Sequence, residues 1–179
     1  MPAQPRPGYI AGFESAMRLA LAQAAEVAGL APGAAGAVAS ASGSGEVDVP
    51  VGAVVLDPAG AVVAAAGNRR EAAGDPTAHA EIEAIRQAAR VAGTRRLDGY
   101  TIVVTLEPCT MCAGAIVLAR LSRLVYGAVD AKAGAAGSLW DVLRDRRLNH
   151  QPEVIGGVLE QDCGALLTAF FAARRGTER

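Results

Sequence analysis

The stretch "YTIVVTLEPCTMCAGAIVLARLSRLVYGAVD", residues 100–130, decides the fold. "YTIVVTLEP" is a continuous apolar run rich in β-branched residues, the pattern of a strand buried on both faces. Pro108 ends it, and "CTMCAGAIVLARL" follows as a helix. "RLVYGAVD" then reads as a second strand. Upstream, "VPVGAVVLD" (49–57) and "AVVAAAGN" (61–68) are two strand-like runs joined by the turn residues "DPAG", which predicts a hairpin. Between hairpin and buried strand, "HAEIEAIRQAARVAG" (79–93) has helical spacing and ends at Gly93. A hairpin followed by alternating helices and strands predicts an α/β fold, a mixed sheet with helices on both faces.

The flanks complete the pattern. Apolar residues at helical spacing predict a helix over roughly 11–29, and "EQDCGALLTAFFAARR" (160–175) predicts a last one. "EVIGGVL" (153–159) reads as a short strand and "AGSLWDVLRD" (136–145) as a short helix. The Gly/Ala/Ser-rich segment at about 31–46 has no periodicity and reads as a flexible insertion within a single domain spanning 1–179.

Composition narrows the function. The chain has 179 residues, 51% of them hydrophobic but only 4% aromatic, so its core is built from Ala, Val, Leu and Ile. With a formal net charge of −1, it has no global basic field, and any nucleic-acid partner must be met by a local patch. No apolar run reaches the roughly 20 residues of a membrane span, and no signal peptide is recognisable. Three cysteines, two of them only three residues apart, fit a reducing cytoplasm and metal chemistry better than a disulfide framework.

The chemistry gathers at two helix starts. Cys109 and Cys112 are three apart on a helix and share a face, so both can grip one ion. His79, one of only two histidines, opens the preceding helix. Two thiolates and an imidazole make a three-ligand zinc site with a fourth position open to water, the catalytic arrangement. Such a site is formally neutral and acidifies water less than a tris-histidine site, so a nearby base is useful. Glu81, two residues from His79 and therefore on another face of the helix, is placed for that role. The other histidine, His150, is not needed for the set, and Cys163 reads as a core thiol.

H-x-E followed by P-C-x-x-C is the signature of zinc deaminases. Together with "VPVGAVV", "GNRR", "DPTAHAEIEAIR", "VYGAVDAKAGAAGSLWDVL" and "LNH", the chain resembles bacterial tRNA-specific adenosine deaminases from Met17 to Arg175. The resemblance implies a cytidine-deaminase-like three-layer α/β/α sandwich with a five-stranded mixed sheet. It implies one zinc per subunit, a homodimer in the cytoplasm, and hydrolytic deamination of adenosine to inosine at the wobble position of a tRNA anticodon. It also implies roles for further residues: Asn68 on the flipped base, the Ala80 N–H at the developing charge, Asp130 and Lys132 on flanking nucleotides. Phe170, Phe171, Arg174 and Arg175 would lie on a C-terminal helix near the anticodon stem-loop. A deaminase of free bases or nucleotides, of the guanine or deoxycytidylate type, is the alternative, since those enzymes share both motifs. A zinc-stabilised RNA-binding module without catalysis is a more distant one.

Overall fold

The computed structural model describes residues 12–30 and 47–177; the insertion expected at 31–46 lies outside them. A helix α1 (Glu14–Val27) precedes the hairpin β1 (Gly52–Leu56) and β2 (Val62–Gly67). A single turn, α2 (Arg70–Ala73), leads to α3 (Ala80–Ala92), β3 (Thr101–Leu106), α4 (Thr110–Leu118) and β4 (Arg123–Ala128). A short β5 (Glu153–Ile155) and the long α5 (Glu160–Thr177) close the sequence of elements.

The five strands form one sheet in the order β2-β1-β3-β4-β5. β1 runs antiparallel to both β2 and β3, whereas β3–β4 and β4–β5 are parallel, so the sheet is mixed as expected. Strand alternation sorts the core into two layers. Ala53, Val55, Ile102, Val104 and Leu124 face α3 and α4, where Ala80, Ala84, Ala88, Ala113 and Ile116 meet them. Val54, Val103, Val125 and Ile155 face α1 and α5, packing on Met17, Ala20 and Cys163. Both faces being covered, all five residues of β1 are buried, which explains why that strand reads as a run and not as an alternation.

Small residues set the layer spacing. A Cβ added to Gly52 would lie 1.9 Å from the Ala20 carbonyl oxygen, so α1 rests on bare strand backbone. On the same side of the sheet, a Cβ at Gly127 would meet the Cys163 sulfur at 2.3 Å.

One element differs from expectation. Residues 136–145 are not a helix but a chain of turns with an isolated bridge between Ala136 and Asp141. Their backbone N–H groups find partners elsewhere: Leu139 and Trp140 donate to the Gly134 carbonyl, Val142 to that of Ala135, and Ala136 and Ser138 to the Glu107 carboxylate. A helix there would have to give up these acceptors, among them the distant Glu107 carboxylate.

Candidate active site

Two helix N-termini meet beyond the carboxyl end of β3, where ligands bind in open α/β sheets. His79 is the N-cap of α3 and Cys109 the N-cap of α4, both with extended backbone and neither using its side chain to cap its helix. The turn before His79 is pinned by Asp75, whose Oδ1 accepts from both the Thr77 N–H and hydroxyl at 2.7 Å. Those side chains are thus free to face each other, with Cys112 joining from the first turn of α4.

The ligand atoms of His79, Cys109 and Cys112 all lie within 4.8 Å of one another. His79 Nδ1 is 3.7 Å from Cys109 Sγ and 3.5 Å from Cys112 Sγ. Bond lengths of zinc to sulfur and nitrogen place two ligands of one tetrahedral ion about 3.6 Å apart. The donor set therefore fits such an ion without rearrangement, and it is Nδ1 that faces it.

Electrostatics favour thiolate at this point. The Cys109 thiol is drawn down to about 4 by a hydrogen bond from Cys112 and one from His79, against the effect of burial. Cys112 is pushed up in turn, by donating to Cys109 and by its own burial. The bond to Cys109 also raises His79 above the ordinary histidine value. Glu81 is 4% exposed. Burial raises its carboxyl above the usual range, so it holds and releases a proton nearer neutrality than a surface glutamate does.

These groups open into a cavity of about 150 Å³, the size of an engineered protein cavity that takes up benzene. That suits one planar base rather than a stacked pair. Asn68, His79, Ala80, Glu81, Cys109 and Asp130 line it. Asn68 is buried; its Nδ2 donates to the Val49 carbonyl at 3.3 Å, and its Oδ1 has no partner. A buried acceptor left open beside a cavity is a contact point for a donor on a ligand.

The remaining expected residues stand elsewhere. Lys132 is exposed next to the cavity loop and is not part of the lining, its N–H donating to Asp130 Oδ1. Phe170 is buried, Phe171 is 45% exposed, and the two rings meet edge to face at 5.4 Å. Arg174 stacks over Phe170 and donates to the Val47 carbonyl, while Arg175 is exposed. None of the four lines the cavity. His150 contacts the Leu121 carbonyl at 2.6 Å and is not among the three clustered donors, and Cys163 is a buried core thiol, as its apolar flanks predict.

Sequence reasoning did not single out the charged lining residue Glu107. Glu107 carries a legible signal: a carboxylate at the end of an otherwise apolar buried run is costly unless something holds it.

Residues 32–128 match the family model of the cytidine and deoxycytidylate deaminase zinc-binding region. A tRNA-specific adenosine deaminase of Bacillus subtilis (strain 168) is 49% identical over 128 residues, 72% of this chain and 79% of that protein. Another, of Agrobacterium fabrum (strain C58), is 47% identical over 141 residues, 78% of this chain and 91% of that protein. A solved structure from a study of A-to-I editing by tRNA A34 deaminases superposes with a TM-score of 0.70 at 40% identity, covering 84% of this chain and 97% of that one. Fold, ligand cluster and these likenesses agree: the chain belongs to the zinc-binding cytidine and deoxycytidylate deaminase superfamily, among its tRNA-specific adenosine deaminases.

Proposed function

We propose that the chain deaminates adenosine to inosine at the wobble position of a tRNA anticodon, by hydrolysis. The observation that carries this is the convergence of a His79–Cys109–Cys112 donor cluster with a buried carboxylate, Glu81, on a cavity sized for one base, in a chain 47–49% identical to tRNA-specific adenosine deaminases.

In this reading, His79, Cys109 and Cys112 hold one zinc ion, which when bound supplies a Lewis acid that makes a water acidic near neutral pH. Glu81 takes the water's proton as the oxygen adds to C6 of the purine. It delivers that proton to N1, then carries the second to the departing amine, so that ammonia leaves and the ring carries a carbonyl. Its burial-raised carboxyl suits both halves of the cycle, since an acid–base group works best with a pKa near the working pH. The Ala80 N–H, in the first turn of α3, has no acceptor within its own helix and faces the charge that develops at C6. Asn68, whose buried Oδ1 has no partner, would accept from a donor on the extruded base. Asp130 and Lys132, and Phe170, Phe171, Arg174 and Arg175 further off, would meet the flanking anticodon loop, where splayed bases carry more of the recognition than bulk charge.

Two subunits in the cytoplasm complete the proposal. Leu118, Leu139 and Trp140 are exposed, 52–78% accessible, and are available to a partner surface.

The test uses zinc-loaded protein and an anticodon stem-loop with adenosine at the wobble position, with Glu81→Ala, guanine and deoxycytidylate run in parallel. Inosine from the wild type, and none from the variant, is the expected result by nuclease digestion and mass spectrometry. Turnover of guanine or deoxycytidylate with an untouched stem-loop would overturn the proposal in favour of a free-base or nucleotide deaminase.

A further inference from the structure

Glu107 is 2% exposed, lines the cavity, and has no part in the proton transfers assigned above. Both of its carboxylate oxygens are engaged by backbone N–H groups of a single loop. Oε1 accepts from Ala136 at 2.9 Å and Ser138 at 3.1 Å; Oε2 accepts from Asp130 at 3.1 Å. The loop closes on itself around this carboxylate. The Ser138 hydroxyl donates to the Asp130 carbonyl at 2.8 Å, and Asp130 Oδ1 accepts from the N–H groups of Lys132 and Ala133. Gly134 lies in the middle, where a Cβ would fall 2.5 Å from both Glu107 Cδ and the Asp130 carbonyl oxygen. The same loop is tied to the cysteine helix, because Ala135 donates to the Pro108 carbonyl and Gly134 bridges Cys109.

We infer that Glu107 is a positioning residue: its carboxylate is the template on which residues 130–138 take the shape that presents Asp130 and Ala133 to the substrate. The inference rests on the proposed tRNA activity for its substrate, but the template itself is a property of the chain.

Geometry says why a carboxylate is needed. All three contacts are donors pointing at an acceptor. Glutamine would bring an NH₂ to one of the two oxygen positions. In one flip it opposes the Asp130 N–H; in the other it opposes both Ala136 and Ser138. Either leaves buried donors unpaired, which the loop relieves only by opening. Substrate affinity then falls in proportion to the fraction of time the loop keeps its shape. The chemical step, carried by Glu81 on α3, is left close to its normal rate once substrate is bound.

The experiment pairs Glu107→Gln with Gly134→Ala, which disturbs the same loop without altering the carboxylate. Zinc content is measured on both variants, amide hydrogen exchange is followed by mass spectrometry, and kcat and KM are measured on the stem-loop. Expected in both variants are full zinc occupancy, faster exchange confined to 130–138, and a KM raised about tenfold or more, the effect of one or two unpaired buried donors. kcat should stay within a few-fold of the wild type. Unchanged exchange in 130–138, or a fall in kcat at constant KM, overturns the inference. If Glu107→Gln does not fold, Gly134→Ala decides by the same criteria. A wild type that makes no inosine counts against the proposed function instead, and the exchange comparison still tests the template.

Discussion

Burial raises the Glu81 carboxyl and the Cys163 thiol alike above their ordinary values, yet only Glu81 faces the cavity. Glu81→Gln keeps shape and removes the exchangeable carboxyl. Zinc content and thermal midpoint should be unchanged or higher, while turnover falls about 100- to 10,000-fold; loss of zinc would mean that Glu81 is itself a ligand. Cys163 is pushed up from 9.0 to about 12 by burial against Gly127. The sign follows from linkage: the neutral thiol is the favoured form in the fold, so its contribution is complete below pH 9 and is lost as pH rises toward 12. Urea midpoints of wild type and Cys163→Ala should therefore converge between pH 9 and 10.5, and a gap that widens would contradict this. At this scale the sequence was informative wherever residue type dictates chemistry: His79, Glu81, Cys109 and Cys112 were legible because few side chains bind metal or carry protons. Glu107 was legible only as a carboxylate in need of partners, because the partners are three N–H groups 23 to 31 residues away.

Elements with their own periodicity and stop signals were legible too: α3 ends where Gly93 takes a left-handed conformation, φ 63°, as its C-cap. The segment 136–145 was misread because Leu139, Val142 and Leu143 mimic helical spacing. In the fold Leu143 is buried and Leu139 is 52% exposed, so no continuous apolar face exists. Long-range acceptors overrode a local pattern. Close approach of elements was equally invisible, since a glycine does not announce what will press on it. Gly52→Ala forces a Cβ onto the backbone of α1, which cannot swing aside as a side chain would. It should cost about 1–3 kcal/mol or more by denaturant unfolding. Gly114 in α4 has nothing within 4 Å of an added Cβ. Gly114→Ala should gain about 0.5–1 kcal/mol from helix propensity alone. Equal effects of the two substitutions would show that packing of α1 on β1 is not what Gly52 serves.

Across the molecule, the mixed sheet brings together helices that are distant in sequence: β1–β3 pairing sets α3 beside α4, so His79 meets cysteines 30 and 33 residues on. At a net −1 the chain has no global basic field, and RNA affinity should fall with salt at a log–log slope of about −2, as two or three contacts would give; a slope several times steeper would reveal a basic surface that the formal charge conceals. The metal cluster makes a stronger demand on the whole fold. The three side chains that could hold an ion sit at the first turns of two separate helices, so an ion there would cross-link α3 to α4 at the end of β3. Whatever binds the folded state and not the unfolded one stabilises it, so chelation should lower the thermal midpoint and zinc should restore it. The cluster also fixes the pH dependence. Cys112 is held protonated by its bond to Cys109 and by burial, and His79 is raised. Zinc needs both as unprotonated ligands, so uptake must expel protons, and affinity must weaken as pH falls. Titrating zinc into chelated protein in weak buffer should acidify the solution, and the zinc-induced rise in midpoint should be larger at pH 8 than at pH 6. A rise independent of pH would mean that the ion is held by groups other than these three.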